Sequence, residues 1–401
     1  MASAATAGRF IDLHILQSVP YSNLNRDDTN SVKTVQYGGV NRTRVSSQSW
    51  KRAMRLDVQR LLGQESLRTR RVAEALTRLL TDDRGWPADL ARKAGAYTVV
   101  ASSIGAEAPK KKAAKQEAPD QDANDDVPWG TKAMVYIPAS AISELADIAQ
   151  EYREILEAAP DAPDVKAKTH LLPTERINNV LRSRDGIINL FGRMLAELDD
   201  AQVDGAVQVA HALTTHQTDS EVDYFSAVDD ITAAWRDSTG SAHMGHAEYS
   251  AGTFYRYVTI DIADLLRNLG GDVDTARTLT RTFLEAAVVS LPQAKKNSTA
   301  PHTFPDLIAV AVRADRPYSY AAAFEKPVPA GPDGGFADAS VAVLDRYAGA
   351  LAKLLGQRVP VISGHAGTHA KSVEGLGVQH DSLDLLLGTA TDAAYATANQ
   401  Q

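Results

Sequence analysis

RFIDLHILQSV, residues 9–19, alternates Phe10, Asp12, His14 and Leu16 against Ile11, Leu13 and Ile15, so apolar side chains stand on both faces. A strand that is apolar on both sides sits inside a sheet covered above and below. The stretch that follows, SNLNRDDTN at 22–30, is rich in turn formers and reads as a long loop. Next, VKTVQYGGVNRTRVS at 32–46 places Gly38–Gly39 between two β-prone runs, the signal of a tight hairpin. In its second arm Arg42 and Arg44 share one face, and their guanidinium groups are expected to project together.

The chain then turns helical. In SSQSWKRAMRLDVQRLL, 46–62, Ser46 or Ser47 can cap a helix whose apolar members Trp50, Met54, Val58 and Leu61 recur in steps of four and three. That stripe is expected to face inward. Lys51, Arg52 and Arg55 then flank the first turns, close to a helix N-terminus whose N–H groups favour anions.

Downstream, SAHMGHAEYSAGTFYRYVTIDI at 241–262 ends as a strong strand. VDTARTLTRTFLEAAVVSLP at 273–292 reads as an amphipathic helix stopped by Pro292, QAKKNS at 293–298 as a basic loop, and PDLIAVAVR at 305–313 as a buried strand. Strand, helix, insertion, strand, helix, strand is an α+β order. Between 65 and 180 lie Ala-rich helical segments interrupted by a charged, Pro-containing run near 106–128 that is expected to stay disordered.

Composition narrows the function. The 401 residues include no cysteine, which removes disulfides, thiolate nucleophiles and cysteine-ligated metals. There is no GxxxxGK[ST], and no GxGxxG after a strand, so nucleotide-driven work is not expected. No apolar run of membrane-spanning length and no signal-peptide pattern occurs, which predicts a cytoplasmic protein without a membrane partner.

The formal net charge of −8 argues against a polyanionic partner until its distribution is considered. Between Arg26 and Arg60 stand eight basic residues against three acidic ones, whereas Glu197 to Asp230 holds nine carboxylates and no Lys or Arg. The basic segment offers hydroxyls at Ser46 and Ser47, the amide of Gln48 and three cations within ten residues, which are groups that hold a phosphate backbone without reading sequence. A solvated helix face explains the same charges about equally well.

His211, His216, Asp219 and Asp223 suggest the alternative of a metal-dependent nuclease or guide-processing enzyme. If helical, the two histidines stand about 140° apart, a poor ligand geometry. The pairs His243/His246 and His365/His369 read as loop residues, with no accompanying order of triad partners.

LNRDD at 24–28, GGVNRTRVSSQSWKRAMR at 38–55, GRM at 192–194, AHALTTHQTDSEVDYFSAVDD at 210–230, and GSAHMG and FYRY within 240–257 together resemble the CasC (Cse-four-type) backbone subunits of type I-E CRISPR Cascade complexes. The likeness covers roughly 9–68 and 185–330. It implies a ferredoxin-like palm of the RNA-recognition type, with inserted helical fingers and a protruding thumb. The expected order is palm at 1–64, fingers at 65–180, palm again at 181–196, thumb at 197–231 and palm at 232–401.

The resemblance further implies a non-catalytic subunit without cofactor or metal, which polymerises along a CRISPR guide RNA as a helical filament. Its partners would be that RNA, a target DNA strand paired to it, further copies of itself and other Cascade subunits. Carried over by position, the backbone grip falls on Asn25, Arg26, Ser46, Ser47, Gln48, Lys51, Arg52 and Arg55, with Lys295 and Lys296 as weaker additions. Met194 on the palm and Phe225 on the thumb, helped by Tyr224 and Val228, would rest against bases. The segregated charges suggest that the acidic thumb of one copy meets the basic palm of the next.

Overall fold

Phe10 to Leu16 are all buried, as expected of a strand with two covered faces. In the computed structural model, which describes residues 8–109, 129–167, 169–228, 241–358, 360–369 and 373–396, they form the centre of the main sheet. The side chains of Val228 and of residues 241–243 lie outside the described residues, as do most of the expected disordered run (110–128) and residues 229–240 of the expected thumb and following palm.

The chain opens with β1 (Phe10–Ser22), β2 (Thr34–Tyr37), β3 (Val40–Val45) and α1 (Ser47–Leu62). There follow β4 (Ser66–Thr69), α2 (Val72–Asp82), α3 (Ala88–Ala101), β5 (Ala106–Glu107), β6 (Gly130–Thr131), β7 (Val135–Pro138), α4 (Ser140–Glu151), α5 (Arg153–Ala158), α6 (Thr174–Arg182) and α7 (Gly186–Phe191). Then come β8 (Val207–Val209), β9 (Ala212–Thr214), β10 (Glu221–Val228), β11 (Ser241–Asp261), α8 (Ile262–Asn268), α9 (Val273–Val289), α10 (Lys296–Thr299) and β12 (Leu307–Arg313). The last elements are α11 (Ala337–Leu355), β13 (Ile362–Gly367), β14 (Val378–Gln379) and α12 (Leu383–Tyr395).

Two compact units result, Met1–Val58 with Ala206–Gln401, and Gln59–Gly205. In the first, the sheet runs β14-β13-β12-β1-β11-β9-β3-β2, with β8 and β10 also paired to β11. Its pairings are antiparallel except β13 with β14. Within it, β1, α1, β8 with β9, β11, α9 and β12 make a ferredoxin-like core with strand order β12-β1-β11-β8/β9. This is the α+β palm that the sequence led us to expect.

One face of the core sheet carries α1 and α9. Arg256 of β11 is clamped there, its guanidinium 3.9 Å from the Trp50 ring centre of α1 and donating to the Gln17 side chain and to the last carbonyls of α9. Burial lowers its pKa to about 9. Trp50, Met54 and Val58 are buried as the periodicity predicts, but Leu61, expected in the same stripe, is exposed. The opposite face is covered by α11 and the turn at 321–324, through Leu16, Tyr255, Leu307, Phe324 and Leu344. Residues 331–396, weakly patterned in sequence, therefore complete the palm: β13 and β14 extend its sheet, α11 covers one face and α12 packs beside α9, where Tyr395 meets Thr280 at 2.9 Å.

The hairpin forms as predicted. Gly38 and Gly39 both have positive φ (64° and 80°), the conformation of a type I′ turn, and a side chain at Gly38 would strike the carbonyl of Glu325. The two arginines of its second arm part company, which corrects the expectation that they project together. Arg42 is fully buried, donating to the carbonyls of Thr214, Phe324 and Glu325, while Arg44 remains half-exposed.

The second unit packs α2, α3, α4 and α6 around Leu76, Ala94, Leu145 and Ile177. Ala106 and Glu107, placed in the disordered run, pair with Gly130 and Thr131 instead. Residues 181–196, expected to return to the palm, and 197–205, expected to start the thumb, belong to this unit: Leu181, Leu195, Leu198 and Ala201 join its core. Arg193 fastens that segment by donating to five backbone carbonyls.

His14 lies fully buried beneath α11, stacked on Tyr320 at 3.8 Å and facing Tyr255, Tyr257 and Arg313. Burial, with Arg313 nearby, holds its pKa well below the ordinary 6.5. The unfolded chain takes up a proton there near pH 6.5 and the folded chain does not, so stability is whole above that pH and declines as pH falls below it. His14→Gln is expected to remove about 1.4 kcal/mol per pH unit from the acid-side slope of unfolding free energy. An unchanged slope in denaturant titrations at several pH values would contradict a neutral buried His14.

Candidate nucleic-acid interface

The N-terminal turns of α1 begin at Ser46, whose hydroxyl accepts the backbone N–H of Ser49 at 3.4 Å. Two neighbouring N–H groups of the helix start are taken by side chains from elsewhere. Asn25 Oδ1 accepts from Ser46 N–H at 2.8 Å, and His211 Nδ1 accepts from Ser47 N–H at 3.1 Å. The first turn carries no acidic residue, so the positive end of the helix is not offset from within.

A cleft of about 480 Å³ lies against this helix. Asn25, Arg26 and Asn30 of the 22–30 loop form one side, Ser49, Arg52 and Leu56 of α1 the floor, and Pro292 to Ala294 after α9 the other side. The loop is held in shape by Asp27, whose carboxylate accepts from Thr29 and Ser31. These hydrogen bonds lower its pKa, so the one carboxylate of the lining is already engaged with the loop. Arg26 donates to Asn30 Oδ1 at 2.9 Å and keeps an exposed side chain.

Of the expected grip, Asn25, Arg26, Ser46, Ser47, Gln48, Lys51, Arg52 and Arg55 are gathered along the loop and the first turns of α1. Gln48 and Arg52 are exposed, Ser47, Lys51 and Arg55 half-buried, and Ser46 is buried at the cap. Lys295 and Lys296 immediately follow the cleft wall; Lys295 adopts a left-handed backbone conformation at the start of α10. His211 escapes a sequence-based search as a member of this group. It comes from the turn between β8 and β9, meets Arg44 at 3.3 Å, and has its pKa lowered by burial and then by Arg44 and Lys33. No local signal points to it, because its neighbours stand more than 160 residues away in the chain.

The acidic segment is not helical where it is described. β10 pairs with the first half of β11 as an exposed ribbon, with Phe225 opposite Gly245 and Tyr224 opposite His246. Tyr224 and Phe225 are 79% and 49% exposed on opposite faces, and Gly245 leaves room for the Phe225 ring, which a Cβ there would strike. Met244, which no sequence pattern singles out, is 76% exposed on the Tyr224 face. Met194, expected on the palm, is 87% exposed but belongs to the Gln59–Gly205 unit.

The metal alternative loses its ligand set among the described residues. His216 is buried, accepting from Thr253 N–H through Nε2, donating to the Gln217 carbonyl through Nδ1, and stacking on Phe336 at 3.5 Å. No group of three His, Asp or Glu side chains among the described residues is placed to hold a metal ion. His365 is likewise no loop residue but a buried member of β13. No helix among the described residues is long and apolar enough to cross a membrane.

The sequence pattern of CT1975-like proteins matches residues 11–388. Among solved structures, a chain described as "CRISPR RNA-guided surveillance complex, pre-nicking" superposes with a TM-score of 0.83 at 42% identity, covering 96% of this chain and 100% of that one. A second, described as "CRISPR RNA-guided surveillance complex", gives 0.73 at 38% identity with the same coverage. No curated protein matches the chain.

Proposed function

The chain belongs to the CT1975-like protein family, and from that premise we propose that it is a CRISPR-RNA-binding subunit of a Cascade-type surveillance complex. The observation that carries this reading is the cleft at α1, which brings Arg26, Arg52 and the 292–294 segment together at a helix N-terminus without an acidic first turn. Similarity at 38–42% identity to chains of RNA-guided complexes supports it over nearly the whole length.

In finer detail, the protein is a non-catalytic backbone subunit of the type I-E, CasC kind that acts in the cytoplasm. Copies polymerise along one guide RNA, present it for pairing with target DNA and meet other Cascade subunits at the ends. The first unit acts as palm, helical segments of the second as fingers, and the β10–β11 ribbon as thumb. A subunit that must serve any guide holds phosphate and sugar and leaves base edges to pairing, which is what this cleft offers.

Purification tests the reading directly: the assembly is expected to carry a short RNA of uniform length with several copies of the chain per RNA. A preparation free of nucleic acid, or one chain per RNA, overturns it.

The ribbon contributes stacking rather than charge. Tyr224→Ala with Phe225→Ala is expected to weaken guide binding by about 1–3 kcal/mol per base stacked while leaving the salt slope unchanged. A changed slope in titrations at several salt concentrations would mean that the ribbon acts through phosphates.

Assembly rests on opposite charge, with Asp219 exposed just before the ribbon, Glu221 and Asp223 exposed on it and cations clustered at α1. Reversal of the three carboxylates to lysine is expected to abolish filament formation at physiological salt while leaving the single subunit folded. Filaments of normal length in negative-stain images would rule out charge docking.

A further inference from the structure

Between the sheet and α11 lies a cavity of about 400 Å³, whose walls include His14, Ala309, Arg313, Tyr320, Leu351 and Ala352. It is on the sheet face opposite α1 and takes no part in the site described above. His14 and Arg313 are each 1% exposed, and each has a nitrogen without a partner among the described residues, Nε2 of His14 and Nη1 of Arg313. The other side-chain nitrogens of both residues are engaged. Arg313 Nε donates to Asp12 at 3.0 Å and Nη2 to the Tyr320 hydroxyl at 2.7 Å.

The hydrogen-bond pattern admits the histidine proton on Nε2. The Tyr255 hydroxyl oxygen accepts from Tyr320 N–H at 2.9 Å and lies 2.9 Å from His14 Nδ1; when the hydroxyl donates to Nδ1, the imidazole proton resides on Nε2. In that tautomer both unpartnered atoms are donors. Buried donors without an acceptor are costly and rare, and a space this size exceeds the roughly 30 Å³ of one water.

We propose that this cavity binds a small monocarboxylate with a short apolar chain, its two oxygens accepting from Arg313 Nη1 and His14 Nε2. Charge favours a monoanion over phosphate, because Asp12 already offsets the Arg313 guanidinium and would oppose a second negative charge. Shape favours an alkyl tail, because Ala309, Ala348, Leu351, Ala352 and Leu376 line much of the rest, alongside the polar Lys353, Ser363 and Glu374. The low pKa of His14 keeps it a neutral single donor toward the cavity near neutral pH.

Calorimetric titration of the full-length chain with sodium butyrate, and with 1-butanol as the uncharged match, tests this. Butyrate is expected to bind at least about tenfold tighter than butanol, the contribution of charge-assisted hydrogen bonds. Ala352→Phe fills the apolar part without touching Asp12, His14 or Arg313, and is expected to abolish butyrate binding while the melting profile and guide affinity stay as in the parent. Arg313→Gln should lose the preference for butyrate over butanol; since it also breaks a buried ion pair, Ala352→Phe decides if that variant fails to fold. Equal affinity for butyrate and butanol, butyrate binding that survives Ala352→Phe, or a crystal soaked in butyrate with water alone at the two nitrogens would overturn the proposal.

Discussion

Alanine at Lys51, Arg52 and Arg55 together is expected to weaken binding of single-stranded guide RNA on the order of 10–100-fold at physiological salt, and to flatten the log–log salt slope by about 2. The second figure follows from roughly 0.7 of slope for each single-strand phosphate that the protein no longer neutralises. The apolar stripe of the helix is left unchanged by the substitutions, with Trp50, Met54 and Val58 buried and Arg256 stacked on the indole. Alanine also has the best helix propensity, so a missing cation is not confounded by a melted helix. Equilibrium binding at four or five salt concentrations, with a melting curve for each protein, separates the outcomes. A parallel, merely displaced salt line would place these side chains away from the phosphates, and Lys295→Ala with Lys296→Ala is expected to shift the slope less.

The largest effect on stability is expected from Arg193→Met. The guanidinium is 4% exposed and gives hydrogen bonds to the carbonyls of Ala201, Tyr136, Leu181, Ser183 and Arg182, at 2.6 to 3.3 Å. Burial, and then Arg184, lower its pKa to about 10, so it remains charged near neutral pH. Methionine fills much of the volume but leaves five carbonyls without their donor, and a buried acceptor left unpaired costs about 1–3 kcal/mol, less where water or relaxation can reach it. The expected loss is on the order of 3–5 kcal/mol in the unfolding of the Gln59–Gly205 unit, read by denaturant titration and by faster proteolysis within residues 59–205. A loss below about 1 kcal/mol would show that the loop from Arg193 to Ala201 holds its shape without the arginine.

Arg193 also shows where the sequence stops being legible. Along the chain it stands inside the GRM motif beside an apolar patch, and nothing local says that five carbonyls from three stretches of the chain converge on it. Arg42 and Arg44 make the same point from two residues apart. Alternation places them on one face of β3, yet Arg42 is enclosed by the carbonyls of Thr214, Phe324 and Glu325, while Arg44 reaches the surface beside His211. Charge density along the chain counts both as candidates for an anion site, and only packing separates a structural arginine from an available one.

The clustering of the proposed grip residues within 25–55 is readable because they are contiguous: a loop, a cap and the flank of one helix carry their signal in adjacent positions. The exposed ribbon is half readable. Aromatic residues inside an acidic run mark Tyr224 and Phe225, but the facing strand, with Met244 on it and the Gly245 that makes space for Phe225, requires the pairing register.

By itself the sequence determined the strand and helix order of the palm, the Gly38–Gly39 turn, a cap at Ser46 or Ser47 and the concentration of cations at α1. Each of these is a local property, set by side-chain period, by backbone conformations that few residues adopt, or by charge within one turn of helix. The tertiary structure alone decided which covered face holds His14 and Arg313, which unit contains Met194, how residues 331–396 close the palm, and which arginines are spoken for. Those outcomes depend on contacts between residues tens to hundreds of positions apart, and the desolvation that makes a buried charge or an unpartnered donor matter exists only after those contacts have formed.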